Sequence, residues 1–332
     1  MDKISLEEQI KDFKIGVFRF IVEPKDKLYL PIYKGSTLRG GFGHSLRRVI
    51  CVTKGKECKD CLLKEKCIYS SIFETPPPKN TTKLTKYPYA PHPFVIEPPL
   101  ERKKEYNKDE ELSFNLVLIG KTNDYLPYFI FAFDKLGELG LGKGKGRYWL
   151  KEVRSIKNNS NSAHPIYTGE DKILKDNYSL ISGKDILEEC KKYYHKRELT
   201  LNFVTPARLK YQEHFIKNLE FHILIRNLLR RTSLLSYFHC SKELQVDFKA
   251  LIEKAKSVKR TSNNLSWYDW QRYSARQKTK MLLGGFIGKV TFDFDGVNPH
   301  QLIPLVLLGR YIHIGKGTSF GLGKYEISKE KK

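Results

Sequence analysis

Three groups of residues in this chain have side chains suited to chemistry. The first is the tail Gly309-Arg-Tyr-Ile-His-Ile-Gly-Lys-Gly-Thr-Ser-Phe-Gly-Leu-Gly-Lys-Tyr325, in which glycines at 309, 315, 317, 321 and 323 interleave with Arg310, Lys316, Lys324 and three aromatic rings. Missing side chains and exposed N–H groups let a phosphate chain approach, lysines supply charge, and aromatic faces can stack bases. His313 and Ser319 sit inside the same stretch. No Gly-Lys-Ser/Thr opens a helix here, so a nucleotidase phosphate loop does not fit. The plain alternative is a glycine-kinked hairpin. A second copy, Leu136-Gly-Glu-Leu-Gly-Leu-Gly-Lys-Gly-Lys-Gly-Arg-Tyr-Trp149, carries Lys143 and Lys145. Each copy follows an apolar helical segment and runs into a strand-like one, which points to duplicated modules.

The second group is Cys51, Cys58, Cys61 and Cys67, spaced Cys-x6-Cys-x2-Cys-x5-Cys. Such clustering favours a metal over disulfides in an intracellular chain. Lys54, Lys56, Lys59, Lys64 and Lys66 surround the thiols and help to keep them ionised. Structural zinc is the first expectation, and an iron–sulfur cluster, also held by four thiolates, is the alternative. Cys190 and Cys240 read as buried thiols. The third group centres on His44, flanked by Gly40, Gly41 and Gly43 and by Arg39, Arg47 and Arg48. An imidazole titrates near neutrality and suits proton transfer, and the glycines permit close approach of another backbone.

These groups must be held by a chain of 332 residues, 40% hydrophobic and 29% charged, enough for two ordinary domains. Its 60 Lys+Arg against 37 Asp+Glu leave a formal charge of +23, which favours a polyanionic partner, nucleic acid before membrane. No run of about eighteen apolar residues and no signal-peptide profile is present, so the expected setting is the cytoplasm.

Phe13–Val22 alternates with strand period. A connector carrying Tyr29 and Tyr33 leads to a helix capped by Ser36 or Thr37 and running to about Val49. Residues 75–99, rich in proline, read as an extended crossing. Leu112–Ile119 is a strand, Tyr125–Leu136 a helix, Arg147–Ile156 a strand, and 157–166 a surface loop. A new strand begins at Glu198. A helix over Leu219–Phe238 follows, with Arg226 and Arg230 on its polar side, then a helix over Val246–Ala255. The stretch Lys254–Lys280 combines Arg272 and Arg276 with Trp267, Tyr268, Trp270 and Tyr273, the composition of an RNA groove. Strands over Met281–Phe294, a helix over Pro299–Leu308, the tail loop and a last strand close the chain. The order predicts an α+β protein of tandem ferredoxin-like, RRM-like domains with antiparallel sheets. The first spans 1–197 with a four-cysteine metal-binding insertion at about 50–75, and the second 198–332.

From about residue 13 onward the chain resembles the CRISPR precursor-RNA processing endoribonucleases of the RAMP superfamily. The resemblance rests on Lys34-Gly-Ser-Thr-Leu-Arg-Gly-Gly-Phe-Gly-His-Ser-Leu-Arg47, the cysteine cluster leading to Phe73-Glu74, His92-Pro-Phe-Val-Ile, Thr205-Pro-Ala-Arg-Leu-Lys210, Trp267-Tyr-Asp-Trp-Gln-Arg-Tyr-Ser-Ala-Arg-Gln277 and the glycine-rich tail. It implies a metal-independent, sequence-specific endoribonuclease binding repeat RNA across two domains. The RNA's 2′-hydroxyl attacks the adjacent phosphorus and leaves 2′,3′-cyclic phosphate and 5′-hydroxyl ends.

His44 matches the catalytic histidine that such enzymes place on the first helix, and Tyr33 the tyrosine often supplied before it. His313 is the rival. Arg39, Arg47, Lys143, Lys145, Arg226, Arg230, Arg272, Arg276, His313, Lys316, Ser319 and Lys324 are the candidate RNA contacts, and Lys34 is a further candidate cation. The alternative function is a non-catalytic RAMP subunit holding guide RNA with other subunits of a CRISPR effector complex. A third is a metal-stapled RNA-binding protein outside CRISPR.

Overall fold

The computed structural model describes residues 5–54, 57–77, 81, 90–157, 163–274 and 279–328, and the side chains of 271–282 lie outside that description. Contacts group the chain into two compact units: Lys14–Ile181 with Tyr237–Ser241, and Met1–Phe13 with Ser182–Ser236 and Lys242–Lys332. The expected boundary at 197 falls inside the latter unit, to which the helix Gly183–Cys190 already belongs.

In the first unit the chain forms β1 (Lys14–Pro24), α1 (Gly35–Ile50), β2 (Phe94–Glu97), β3 (Leu112–Ile119), α2 (Leu126–Leu139) and β4 (Tyr148–Ile156). The strands lie antiparallel in the order β2-β3-β1-β4, with Ala163–Thr168 added beyond β4 and Leu180–Ser182 also pairing with β1. This is the ferredoxin-like arrangement. β1 is central, with Ile15 opposite Ile119 and Val22 opposite Leu112 on one side and Phe18 opposite Ser155 on the other. Its near-continuous apolar run reflects that position.

The residues read as a crossing without a core contain β2, whose four side chains are all buried. Pro93, Pro98 and Pro99 bracket the strand closely, so proline composition hid a four-residue element. Likewise Ala163–Thr168 is strand where a surface loop was expected.

α1 packs on α2 through aromatic rings: Phe42 lies 4.7 Å from Phe129 and 5.1 Å from Phe133, centroid to centroid. The Ser45 hydroxyl donates to the Ala132 carbonyl at 2.7 Å. A Cβ on Gly41 would lie 2.9 Å from Leu136, and one on Gly43 2.2 Å from the Phe73 ring. Packing against the ring therefore calls for glycine at position 43, while at position 41 the ends of Leu136 and Leu141 would have to shift; each glycine costs about 1 kcal/mol in helix propensity.

The second unit repeats the order with β5 (Glu198–Ala207), α3 (Phe221–His239), β6 (Lys259–Ser274), β7 (Thr279–Asp293), α4 (Ile303–Ile312) and β8 (Tyr325–Ile327). Its sheet runs β6-β7-β5-β8, antiparallel throughout. Phe203 packs on Phe286 and Tyr325, and Phe221 on Phe292 and Phe294. The helix Phe248–Lys256 is an addition between α3 and β6. Phe286–Asp293 of β7 pairs with β5, whereas Thr279–Gly285 pairs with β6 alone, so the two strands run on beyond the sheet as an arm. Trp267, Tyr268, Trp270 and Tyr273 of the basic segment, expected as a groove-forming stretch, lie on β6, while its residues 275–278 lie outside the described residues.

A shared detail relates the halves. In the first unit the Tyr148 hydroxyl donates to the Phe133 carbonyl of α2 at 2.6 Å, and in the second the Tyr325 hydroxyl donates to the Val306 carbonyl of α4 at 2.6 Å. Each tyrosine follows its Gly-Lys loop and fills space left by a helix glycine, Gly137 or Gly309.

Candidate nucleic-acid interface

α1 begins at Gly35 with Lys34 as its cap residue and no side-chain cap, so Ser36 and Thr37 lie within the first turn. Leu38, Phe42 and Leu46 are buried, which turns Gly40, His44 and Arg48 outward; all three are exposed. A Cβ on Gly40 would meet nothing within 4 Å, so this glycine has no packing requirement and leaves bare helix one turn from the imidazole. The first Gly-Lys loop lies alongside. Leu141 packs against Gly41, and the Lys143 N–H donates to the Tyr29 carbonyl at 2.9 Å. The Lys143 and Lys145 side chains are exposed.

Two other cations of α1, Arg39 and Arg47, are directed elsewhere. The Arg39 guanidinium lies 2.9 Å from His92 Nε2 and 4.2 Å from the Phe73 ring centroid. His92 in turn has Nδ1 3.1 Å from the Thr75 hydroxyl and stacks on Phe94. Arg47 is turned to the Cys51 thiol, to which it hydrogen-bonds, and towards Cys58. The Lys34 amine is buried and donates to the carbonyls of Glu101 at 3.0 Å and Ile32 at 3.3 Å. Burial lowers its pKa, opposed by the Glu101 carboxylate. Tyr33 is half-buried; burial, aided by Glu97, pushes its phenol well above the ordinary range. His92 had no local context in the sequence. Its partner Arg39 lies 53 residues away, and only the β2 strand brings them together.

The four cysteines line one cavity of about 240 Å³ with Thr53 at its wall, the Thr53 hydroxyl 3.7 Å from both Cys51 Sγ and Cys61 Sγ. Among the described residues no group of three or more His, Cys, Asp or Glu is disposed as a closed metal site. The donor set and shared cavity fit a thiolate-bound metal, while the thiols do not form a coordination polyhedron. Cys190 is buried as expected and Cys240 half-buried; burial pushes both thiols up to about 12.

In the second unit the tail loop is built from beneath. The Arg231 guanidinium, buried in α3, donates to the Ile312 carbonyl at 2.7 Å; the Thr205 hydroxyl donates to the Gly321 carbonyl at 2.9 Å and accepts from the Lys324 N–H at 2.8 Å. At Gly323, φ is +73° and a Cβ would lie 1.9 Å from the Ile314 carbonyl oxygen, so only glycine serves.

Three expectations need correction. His313 is fully buried, caps α4 and has Nδ1 3.1 Å from the Leu322 carbonyl, so it supports the loop rather than facing a ligand. Ser319 is buried as well. Many loop N–H groups expected to be exposed are used internally: those of Ile314, Lys316, Phe320, Gly321 and Gly323 donate to protein carbonyls. Lys316 remains exposed and Lys324 half-buried.

Arg226 and Arg230 line a cavity of about 530 Å³ between α3 and the helix Phe248–Lys256, with Lys249 and Glu253 on the opposite wall. Arg272 lies on β6 with its side chain outside the described residues, and Arg276 lies outside them altogether.

Two family models cover the chain. Residues 13–178 match an N-terminal domain family (AF_1859_N), and residues 201–325 match the CRISPR-associated endoribonuclease Cas6. Residues 201–325 thus carry a Cas6-family domain. An uncharacterized protein of Archaeoglobus fulgidus is 26% identical to this chain over 301 residues, covering 90% of this chain and 93% of the relative. A Cas6 product complex superposes with a TM-score of 0.59 at 16% identity, covering 95% of this chain and 99% of the other. Thermus thermophilus Cas6 gives 0.53 at 15% identity with the same coverages. A partial Cas6-RT-Cas1–Cas2 complex gives 0.58 at 13% identity, covering 97% of this chain and 47% of the other. These likenesses establish the Cas6 fold, the tandem ferredoxin-like arrangement. No helix among the described residues is long and apolar enough to cross a membrane.

Proposed function

We propose that this protein binds CRISPR repeat RNA and cuts it at one phosphodiester by attack of the 2′-hydroxyl, with no metal in the chemistry. The observation that carries this reading is the outward strip of α1, where exposed His44 stands one turn from the bare backbone at Gly40, on a helix that the Gly-Lys loop carrying exposed Lys143 and Lys145 reaches through Leu141 at Gly41. A phosphate can come close to such a surface, and the imidazole is placed to exchange protons with it.

In the reaction a base takes the proton of the 2′-hydroxyl and its oxygen bonds to phosphorus. The bond from phosphorus to the 5′-oxygen breaks, and that oxygen leaves with a proton. The products are a 2′,3′-cyclic phosphate and a 5′-hydroxyl. His44 serves these proton transfers, and Lys143 and Lys145 offset charge that builds on the non-bridging oxygens. The Tyr33 phenol, raised by burial, keeps its proton and suits donation of a hydrogen bond rather than proton removal. Lys316, Lys324, Arg226 and Arg230 serve RNA binding, and the fold shared with a Cas6-RT-Cas1–Cas2 complex makes other CRISPR subunits candidate partners.

Cys51, Cys58, Cys61 and Cys67 would hold a structural zinc, with an iron–sulfur cluster as the alternative. When bound, the metal would brace the end of α1 rather than take part in the reaction. Arg39 and Arg47 then act on His92 and the thiols rather than on RNA directly.

The test is cleavage of end-labelled repeat RNA in EDTA by wild type and His44→Ala. One cut with a cyclic phosphate end, lost in the variant with RNA affinity retained, is the expected result. Cutting that survives in His44→Ala moves the chemistry to another residue. Tight binding with no cutting by either protein favours the guide-holding subunit, a reading consistent with Arg39 and Arg47 both being engaged away from His44.

A further inference from the structure

After β5 the chain turns into a two-residue hairpin, Lys210–Tyr211 paired with His214–Phe215. Phe215 is 39% exposed, a large share for a phenyl ring. Three cations converge on that ring: the Arg208 guanidinium carbon lies 4.9 Å from its centroid, Lys210 Nζ 5.5 Å and Lys316 Nζ 5.8 Å. They come from the end of β5, the hairpin and the glycine-rich loop respectively.

The backbone fixes this convergence. The Lys316 N–H donates to the Arg208 carbonyl at 3.0 Å, and the Ile216 N–H to the Leu209 carbonyl at 3.1 Å. At Gly315 a Cβ would lie 2.5 Å from the Arg208 carbonyl oxygen, so the loop can press onto β5 only with glycine there.

The cluster is poorly neutralised. Arg208 Nε is buried with no hydrogen-bond partner among the described residues, and burial lowers this guanidinium's pKa, with Asp269 as the opposing charge. Lys210 pairs with Glu213 only at 3.8 Å, where the carboxylate is almost fully exposed. A phenyl quadrupole attracts each cation weakly at such a site and does not remove their mutual repulsion. A flat ring carrying phosphates on both sides does both: it stacks on Phe215 and brings the anions to the cations. The strip continues in the same hairpin, where Tyr211 has Arg226 6.0 Å from its centroid, and Arg226 opens onto the basic cavity beside α3.

We propose that Phe215 is a stacking platform for one unpaired nucleotide of the RNA, with Arg208, Lys210 and Lys316 gripping the phosphates that flank it. The occupant is single-stranded, because a paired base has both faces covered by its neighbours and cannot lie on a protein ring. This inference rests on the RNA-binding reading above and assigns a residue that no motif in the chain marks.

The experiment measures repeat-RNA affinity for wild type, Phe215→Leu and Phe215→Trp, with 2-aminopurine moved one position at a time along the RNA. Phe215→Leu should bind about 10- to 100-fold more weakly, the factor that one stacked base carries, and raise KM rather than lower kcat. Phe215→Trp should restore affinity. One 2-aminopurine position should be quenched by wild type and not by Phe215→Leu. Lys316→Gln should reduce the slope of log affinity against log salt by about 0.7, one phosphate on a single strand. Wild-type affinity in Phe215→Leu, or equal losses in the leucine and tryptophan variants, would overturn the platform while leaving RNA cleavage by the wild type intact. Failure of the wild type itself to bind repeat RNA would remove the proposed function together with the platform.

Discussion

Replacing Tyr325 by phenylalanine removes one hydroxyl from the closing strand and leaves the ring. That hydroxyl donates to the Val306 carbonyl at 2.6 Å in a setting where the side chain is almost fully buried. Gly309 lies directly opposite, close enough that a Cβ there would be 2.1 Å from the oxygen, so no water fits in its place. The lost hydrogen bond and the carbonyl left behind together cost about 2 kcal/mol, roughly a 30-fold change in the folding equilibrium. Alkaline pH gives a second reading. Burial pushes the Tyr325 phenol far above its ordinary value. The folded state thus keeps a proton that the unfolded chain loses above about pH 10, and stability falls as pH rises past that point, by about 1.4 kcal/mol per pH unit for this tyrosine. Tyr325→Phe lacks that contribution. Its urea midpoint should lie below wild type at pH 7 with m unchanged, and the two stability curves should meet at about pH 11.5, where the alkaline loss has consumed the ~2 kcal/mol advantage. Tryptophan fluorescence and circular dichroism in urea at a series of pH values measure both. Parallel curves through the alkaline range would refute the argument, since they would mean that the hydroxyl is not the buried proton described here.

Two glycines on α1 should respond in opposite directions. Gly43→Ala pushes a methyl into the Phe73 ring that Arg39 also covers and should cost about 1–3 kcal/mol, whereas Gly40→Ala should raise stability by about 0.5–1 kcal/mol while impairing cleavage; thermal melts and RNA cleavage of the two variants decide this. The Arg147 side chain hydrogen-bonds Asp26 and holds its carboxyl down to about 2, so the pair stabilises above pH 4 and fails as pH falls through 2. Asp26→Asn should lose that part of the acid dependence, as read from acid titrations followed by circular dichroism. Metal analysis of the purified protein should find about one zinc per chain, reduced in Cys58→Ser and Cys61→Ser; visible absorbance with iron would identify the cluster alternative instead, and metal-free protein would discard both.

The duplicated order of strands and helices was legible because apolar periodicity and the two Gly-Lys loops mark each half independently. Leu112–Ile119 and the strand from Glu198 emerge at the expected residues. What escaped notice depends on pairing that no local pattern records. β2 is four residues among prolines, and it is a strand because β3 pairs with it in register from Phe94–Leu118 to Glu97–Asn115. The polar residues of β6 lack an alternating apolar face, yet β7 pairs with them along their whole length. At the candidate site, glycine spacing pointed to close approach around His44, yet only Gly40 lies bare beside the exposed imidazole, while Gly41 and Gly43 face core side chains. It gave no sign that Arg39 is claimed by His92, or that His313 turns inward at the end of α4 with φ at +58°. Phe215 was missed because its cations come from positions up to 108 residues apart in the chain, Arg208 and Lys316.

The arm formed by β6 and β7 has a consequence for motion. An isolated two-stranded hairpin is marginal in water, and from Thr279 to Gly285 this one pairs only with its partner strand. Its order is therefore lent by the sheet at its base, and amide exchange should quicken steadily from Phe292 towards Thr279. Such a gradient makes the arm a reporter of occupancy: a ligand that settles along it supplies the missing third edge, and slowed exchange in the outer rungs would record the binding one residue pair at a time.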